Sequence, residues 1–231
     1  MRALAAVAVI AAVSAVGSPT APTADAAPST CASLSGVVDA SQHCQIRRTD
    51  PGYSLDISFP VDYPDQQAIL DYVTQTRDGF VNVAKTPTPQ VNPYELDTTA
   101  TKFSASTPQR SSQSIVFKTF QDVGGAHPQT FYKSFTWDQH ARKPVTIENL
   151  FSPGTQPFAV IAPIVQGELS KQSGLPVIIP PGVGLDPNTY RNFAITDDAL
   201  IFFFDQGVVL PESAGALQVS VPRAPIESML A

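Results

Sequence analysis

Chemically reactive side chains are scarce in this chain of 231 residues. It contains two cysteines, three histidines, two methionines and one tryptophan, and charged residues make up only 15% of it. So few histidines and cysteines cannot form the clustered ligand sets that zinc sites use. The sequence also lacks a GxSxG nucleophile elbow, a Walker-type phosphate loop and a GxGxxG dinucleotide fingerprint. We therefore expect no catalytic residues, no metal and no cofactor, and we predict that the chain is not an enzyme.

Positive charge is also in short supply. Lysine and arginine number 14 against 20 aspartate and glutamate residues, the formal net charge is −6 and the calculated pI is about 4.9. The only adjacent basic pairs are at residues 47–48 and 142–143. Proteins that bind nucleic acid or anionic membranes concentrate basic residues on one surface. The composition therefore argues against both ligands and favours encounters with basic proteins.

The first 26 residues have the features of a secretory signal peptide. Arg2 supplies a positive start, residues 3–16 form an apolar run, and residues 24–26 give the small-x-small pattern that signal peptidase accepts. A retained membrane anchor is the alternative, but the run is shorter than the roughly 18–25 residues that span a bilayer. The pattern predicts cleavage after residue 26, no stable membrane anchor and an extracellular chain of residues 27–231.

The two cysteines lie close together near the predicted mature start. An even pair in an exported chain is most simply interpreted as one disulfide, between Cys31 and Cys44. We expect it to close an otherwise irregular segment, residues 28–50. His43 beside Cys44 offers an alternative, a thiolate and imidazole pair for nucleophilic catalysis, which a disulfide would exclude.

The first half of the predicted domain contains one helix and four strands. Apolar and polar residues alternate over residues 53–59, which indicates a half-buried strand ended by Pro60. Helical spacing of apolar residues follows over residues 64–84. Residues 94–105 are polar and threonine-rich, which favours an edge or solvent-facing strand. Two aromatic runs, residues 114–123 and 130–137, predict a hairpin.

The second half predicts another helix and three strands. The helix spans residues 156–173, or starts near Ala162 if Pro163 occupies its first turn. Residues 180–182 are predicted to be a loop, and a turn or short helix opens at Asp186-Pro187. A second hairpin is expected from three segments: strands at 193–196 and 200–204 and a turn at 197–198. Residues 200–204 are apolar on both faces, which indicates a central strand covered on both sides. A last strand at 217–221 precedes a short helix at 225–230. Together these elements predict a single α+β domain with a mixed, largely antiparallel sheet and two main helices.

A Gly-Gly-Ala-His-Pro segment joins the two strands of the first hairpin. Gly124 and Gly125 permit positive φ angles, and Pro128 restricts His127 to extended geometry, so His127 is presented by a defined turn. Two interpretations remain open. The favoured one is that the imidazole holds the turn by bonding a backbone carbonyl, and the other is that it contacts a ligand.

Carboxylates offer the only alternative catalytic chemistry. Glu148 and Glu168 lie on different predicted elements and would act as a glycosidase pair only if they converged to roughly 5–9.5 Å. Asp197 and Asp198 suit the tip of the second hairpin. We interpret all four mainly as solvated or turn-forming carboxylates and keep a secreted hydrolase as an alternative function.

Several motifs resemble one family of extracytoplasmic domains. They are the Gly-Gly-Ala-His-Pro segment with Phe-Tyr-Lys-Ser-Phe-Thr-Trp-Asp at 131–138, Lys-Pro-Val-Thr at 143–146, Tyr-Pro-Asp-Gln at 63–66, the run at 163–172 and Ile-Phe-Phe-Phe at 201–204. The chain is similar to the secreted immunogenic protein 64 family of mycobacteria. More distantly, it resembles the lysozyme-sensing ectodomain of a bacterial anti-sigma factor.

The resemblance implies a secreted antigen with a β-grasp-like fold, no enzymatic activity and contacts with host or extracellular proteins. It also supports the Cys31 to Cys44 bridge. Lysozyme-binding members carry a Pro-Tyr-Ala-Ala-Gly-like segment in a C-terminal loop, where this chain has Pro211-Glu212-Ser213-Ala214-Gly215. Glu212 replaces the aromatic residue, which argues against lysozyme as a partner. The candidate partner-binding residues are Gly124, Gly125, His127, Pro128, Pro211 and Glu212; a structural protein of the cell envelope is a further alternative.

Overall fold

The computed structural model describes residues 26–86, 92–106, 111–124 and 127–231. The predicted signal peptide and Gly125 therefore lie outside the described residues, apart from residue 26. The helices are α1 (Ala26–Ser33), α2 (Gln66–Ala84), α3 (Pro157–Ser173) and α4 (Pro181–Gly184). The strands are β1 (Val37–Val38), β2 (His43–Asp50), β3 (Tyr53–Pro60), β4 (Tyr94–Ser106), β5 (Ser111–Asp122), β6 (Gln129–Asp138), β7 (Lys143–Val145), β8 (Phe193–Ile195), β9 (Ala199–Phe204) and β10 (Leu217–Pro222).

A seven-stranded mixed sheet is built from the first part of the chain. Its strands follow chain order from β1 to β7, and every neighbouring pair is antiparallel except β3 and β4. A parallel pair needs a crossover connection, and α2 supplies it. The apolar side of α2, carrying Ile69, Val73 and Phe80, is buried against this sheet.

The second sheet has three strands in the order β10, β9, β8, all antiparallel. Its central strand, β9, is buried on both faces, as its apolar sequence predicted. Phe202 and Phe204 contact the ring of Tyr190 in the core under α3. Phe203 points the other way and packs on Phe103 of β4 and Tyr132 of β6. The second sheet therefore lies against the first.

Both main helices form where the apolar spacing predicted them. Asp65 is the N-cap of α2, where its carboxylate accepts a 3.1 Å hydrogen bond from the amide of Ala68. The sequence predicted Asp65 within the first turn of the helix, whereas it lies just before that turn. As the N-cap, its carboxylate satisfies one of the amides that have no partner within the helix. Helix α3 takes the longer of the two predicted forms: it begins at Pro157, contains Pro163 and ends at Gly174 with φ of 68°.

Two predictions of local structure were wrong. Residues 28–50 are not irregular: α1 reaches Ser33, and residues 43–50 form β2, in which the buried Cys44 and Ile46 alternate with partly buried residues and pair with Phe59 and Ile57. Of the two alternatives for β4, the solvent-facing strand is correct, since β4 lies between β3 and β5 and exposes one polar face. Residues 181–184 form a one-turn helix rather than a loop.

The fold is thus α+β, with two main helices and a largely antiparallel, mixed seven-stranded sheet beside a three-stranded one. The finer likeness to a β-grasp fold stays a prediction. Cys31 and Cys44 form the predicted disulfide, with Cα atoms 5.6 Å apart. Among the described residues, no helix combines the length and the apolar character that a membrane crossing requires.

Candidate functional site

The turn between β5 and β6 is built around Gly124. Its φ is +71°, and a Cβ added there would lie 2.8 Å from a ring carbon of Tyr94. Its amide donates a 2.9 Å hydrogen bond to the Asp122 carboxylate. Both the backbone conformation and the close aromatic neighbour therefore require glycine at this position.

His127 and Pro128 are exposed on the far side of this turn. The imidazole makes no hydrogen bond within the described part of the chain, so the favoured interpretation, in which it holds the turn, finds no support there. The carbonyl of Pro128 accepts a 3.4 Å hydrogen bond from the side-chain amide of Gln206. This contact brings the loop after β9 beside the β5–β6 turn.

Gln206 joins the two loops at their base. Its backbone amide donates to the Thr130 carbonyl over 3.0 Å, and its side-chain oxygen accepts from the Thr130 amide over 3.1 Å. The side chain thus continues the hydrogen-bonding ladder of β6 as a neighbouring strand would. Sequence patterns did not indicate Gln206, because none of the residues around it points to a partner 76 residues away.

Pro211 and Glu212 are exposed further along the same loop. Pro211 is the N-cap of a short 3₁₀ helix, Glu212–Ala214. Glu212 folds back across the loop, since a Cβ on Gly207 would lie 3.1 Å from its Cγ. Val208, 39% exposed, adds an apolar side chain beside them. We call the surface formed by Gly124, His127, Pro128 and residues 206–215 the paired loops.

The paired loops carry acidic groups on a rigid base. Asp205, directly before Gln206, accepts a 2.7 Å hydrogen bond from the Tyr132 amide and forms a 3.1 Å ion pair with Arg191. Burial raises the pKa of the Tyr132 hydroxyl, and the nearby Asp205 carboxylate adds to the effect. Glu212 has no ion-pair partner among the described residues. The surface therefore presents the negative charge of Glu212 beside an exposed proline and valine, whereas the charge of Asp205 is paired with Arg191.

The two candidate catalytic carboxylates, Glu148 and Glu168, have different partners. Glu168 on α3 makes a 2.6 Å ion pair with Lys171. Glu148 lines a separate groove of about 350 Å³, and a hydrogen bond from the Thr146 side chain lowers the pKa of its carboxyl. A glycosidase needs one carboxyl with a raised pKa as its proton donor, so Glu148 is unsuited to that role.

The remaining acids have turn-forming roles. Asp197 accepts a 2.6 Å hydrogen bond from the Ser106 amide, and Asp198 accepts one from the Thr196 hydroxyl. The alternative thiolate and imidazole pair at His43 is excluded by the disulfide. Within the described ranges, no three His, Cys, Asp or Glu side chains are placed to hold a metal ion.

A cavity of about 240 Å³ lies between the two sheets, and the sequence did not indicate it. Ser112 of β5 and Arg223 line it, and both are more than nine-tenths buried. The Ser112 hydroxyl finds no hydrogen-bond partner among the described residues. Arg223 is held by two 3.1 Å hydrogen bonds to the Glu227 carboxylate and by the carbonyls of Thr196 and Asp197.

Known proteins match this chain over most of its length. Immunogenic protein MPT64 of Mycobacterium tuberculosis is 51% identical over 207 residues, which cover 89% of this chain and 90% of that protein. The chain belongs to the family of this mycobacterial immunogenic protein. A second relative of this chain, named esterase Rv3036c and also from Mycobacterium tuberculosis, is 52% identical over 200 residues, which cover 87% of this chain and 88% of that protein.

Residues 148–224 match the model of a protein family of unknown function, DUF3298. The crystal structure of a DUF3298 family protein from Pseudomonas aeruginosa superposes with a TM-score of 0.55. The match covers 86% of this chain and 96% of that one at 11% identity. At that identity the likeness shows a shared fold and nothing about activity. This chain thus shares the fold of that DUF3298 family protein.

Proposed function

We propose that the protein is a secreted, non-enzymatic binding module that engages an extracellular protein through the paired loops. The observation that carries this proposal is the convergence of two loops far apart in sequence, held by Gln206 between Thr130 and Pro128. Binding surfaces are commonly loops positioned by a rigid scaffold. The membership of the MPT64 family, whose curated members include proteins named immunogenic, supports a role outside the cell.

The chemistry of the loops favours a partner with basic groups. Glu212 is exposed, Val208 and Pro211 supply apolar contacts, and the whole chain has a formal net charge of −6. A negative surface accelerates encounters with positively charged partners and makes them sensitive to salt. Because Glu212 replaces the aromatic residue of lysozyme-binding relatives, we do not expect lysozyme to be the partner. As a basic protein, lysozyme is still a suitable test ligand for this surface.

Site-directed crosslinking tests this function. A photo-crosslinking residue is placed at position 212, and a matched one at position 140, because His140 is equally exposed but lies at the opposite end of β6. We expect saturable capture of a defined extracellular protein from position 212 only, and we expect His127→Ala to weaken it more than His140→Ala. Equal capture at both positions, or none that saturates, would show that the paired loops are not the binding surface.

Ester hydrolysis is a second candidate, because a relative that is 52% identical over most of the chain is named an esterase. The cavity between the sheets has groups that suit it. Ser112 offers a hydroxyl without a partner among the described residues, and Asp138, its cross-strand neighbour in the same cavity, would accept the proton when that hydroxyl attacks the ester carbonyl and the alcohol leaves. The Ser112 hydroxyl is closed to solvent in this conformation, so ester access would require the cavity to open.

Hydrolysis of short-chain nitrophenyl esters separates the two functions. If Ser112 is a nucleophile, Ser112→Ala abolishes turnover, whereas Ser111→Ala, at a neighbouring cavity position, leaves it intact. The Glu168→Gln variant tests the alternative of a carboxylate-based hydrolase, in which this substitution would abolish turnover. Turnover that survives both Ser112→Ala and Glu168→Gln would exclude these sites, and no turnover by the unmodified protein would leave the binding module as the function.

A further inference from the structure

A groove on the other side of the molecule runs between α2 and the outer edge of β2. Its volume is about 530 Å³. Three buried side chains, Leu34, Ile46 and Leu55, together with the partly buried Val81, supply its apolar surface. We call it the β2 groove. It shares no residue with the paired loops.

The edge of β2 beside this groove is open. Strand β1 pairs only with Gln45 and Cys44, whereas β2 continues to Asp50. No described strand covers the outer side of residues 46–50. An exposed strand edge presents unpaired amides and carbonyls, which an extended peptide can bind by adding as a further strand.

Three arginines at the groove are each held by an ion pair between the Nε atom and an aspartate carboxylate. The Nε atoms of Arg47 and Arg48 each donate over 2.8 Å to a carboxylate, on Asp56 and Asp50 respectively. Arg77 makes the equivalent 2.7 Å contact with Asp78, and its Nη1 also donates to the Leu34 carbonyl.

The terminal nitrogens of two of these arginines remain available. Those of Arg47 and Arg48 donate to no described residue, and the two side chains are 70% and 52% exposed. A guanidinium held through Nε in this way keeps its terminal donors free for the planar, two-point recognition of a carboxylate.

The charge of the groove is opposite to that of the chain. The formal net charge of the chain is −6, whereas the four cations at the groove, Arg47, Arg48, Arg77 and Lys85, outnumber by one the carboxylates of Asp50, Asp56 and Asp78 that pair with the arginines. The guanidinium of Arg48 also lies over the Tyr53 ring, 5.7 Å from its centroid, which helps to fix it. Charge complementarity therefore selects an acidic ligand here.

We propose that the β2 groove binds an extended acidic segment of a partner protein. The segment adds as a strand along residues 46–50, with its carboxylates on the face of Arg47 and its apolar side chains on the opposite face, which carries Ile46 and Arg48. Alternation of acidic and apolar residues suits this arrangement, since successive side chains of a strand point to opposite faces. This surface is independent of the function proposed for the paired loops.

Fluorescence anisotropy of the purified protein tests the proposal. The probe is a labelled ten-residue peptide of alternating glutamate and valine, and its matched control is N-methylated at alternate residues to remove backbone donors. We expect saturable binding that weakens with salt, at least tenfold weaker binding of the N-methylated peptide, and at least tenfold weaker binding by an Arg47→Ser, Arg48→Ser double variant. Lys171→Ser, an exposed cation on α3, is the control and should bind as the unmodified protein does.

Four outcomes would overturn the proposal. Equal binding of the N-methylated peptide would show charge attraction without strand addition. Unchanged binding by the arginine double variant, with its folding verified by thermal unfolding, would place the peptide elsewhere. A protein dimer that is lost in the double variant would assign the edge to a second copy of the chain. If the probe does not bind, the role left for the arginines is to prevent aggregation, because charged side chains on an edge strand oppose its pairing with another chain.

Discussion

The backbone amide of Tyr132 donates a 2.7 Å hydrogen bond to Oδ1 of Asp205, 73 residues further along the chain. It is one of three such contacts on the outer edge of β6. The amide of Thr130 donates to the side chain of Gln206, and that of Ser134 to the side chain of Asn192. Three side chains from the second sheet thus take the place of a neighbouring strand and close this part of the edge.

Removing the Asp205 acceptor should destabilise the fold. In Asp205→Ala the Tyr132 amide, on a largely buried residue, loses its partner, and an unsatisfied buried amide costs about 1–3 kcal/mol. Asp205→Asn keeps an acceptor oxygen and should cost less than half as much. Urea denaturation measures both, and amide hydrogen exchange at Tyr132 should accelerate in the alanine variant only. Equal stability of the two variants would contradict this role of Asp205.

Gly36 is fitted against the disulfide. A Cβ there would lie 2.7 Å from the Cys44 sulfur, 2.9 Å from the Cys31 sulfur and 2.9 Å from Ile46. Gly36→Ala should therefore destabilise the protein by about 1–3 kcal/mol through overpacking.

Gly79 provides the matched control for this substitution. It lies within α2 with nothing within 4 Å of its added Cβ. Gly79→Ala should stabilise the protein by about 0.5–1 kcal/mol, because alanine favours the helix. Denaturation midpoints that shift in the same direction for both variants would refute the prediction for Gly36.

The Cys31–Cys44 bridge should contribute roughly 3 kcal/mol to stability, because it limits the freedom of the unfolded chain. We expect a Cys31→Ala, Cys44→Ala double variant to lose about that much, as measured by urea denaturation without reductant. Adding reductant should destabilise the unmodified protein and leave the double variant unaffected. Insensitivity of the unmodified protein to reduction would show that the bridge constrains little.

Alkaline pH should weaken the core under α3. Burial raises the pKa of Tyr190 from 10.0 to about 12, and its hydroxyl donates a 2.8 Å hydrogen bond to the Gly184 carbonyl. Because the unfolded chain then loses this proton at a lower pH than the folded one, the stabilisation is complete below pH 10 and is lost between pH 10 and about pH 12.

Tyr190→Phe tests this pH dependence. The variant should cost about 1 kcal/mol at neutral pH, for the lost hydrogen bond, and should reduce the loss of stability above pH 10. Urea denaturation at several pH values gives both quantities. A profile as steep as that of the unmodified protein would assign the alkaline loss to other buried tyrosines, such as Tyr63, whose pKa burial also raises.

The spacing of apolar residues predicted those helices and strands whose buried face is evident from their own residues. Strand β3, helix α2, the β5–β6 hairpin and strand β9 each show their buried faces in their own residues. Strand β2 was missed because only Cys44 and Ile46 alternate before Arg47 and Arg48 interrupt the pattern. Whether β4 is an edge strand stayed open at the sequence level, because a polar face shows that a strand is solvated but not how many neighbouring strands it has.

The candidate site was predictable only in its separate parts. Glycine and proline marked the β5–β6 turn, and the family resemblance marked Pro211 and Glu212. Their convergence depends on Gln206, which bonds to Thr130 across 76 residues and carries no local pattern. The cavity lined by Ser112 and Arg223 could not be predicted from the sequence either, because its walls come from both sheets.

The side chains that close the β6 edge also set an order of events during synthesis. The strand is complete at Asp138, but Asn192, Asp205 and Gln206 leave the ribosome more than fifty residues later. Until then, the described part of the chain has no group to cover the outer amides of Thr130, Tyr132 and Ser134. A chain ending before residue 192 therefore lacks all three acceptors, and we expect it to expose an unpaired strand edge that other chains can bind.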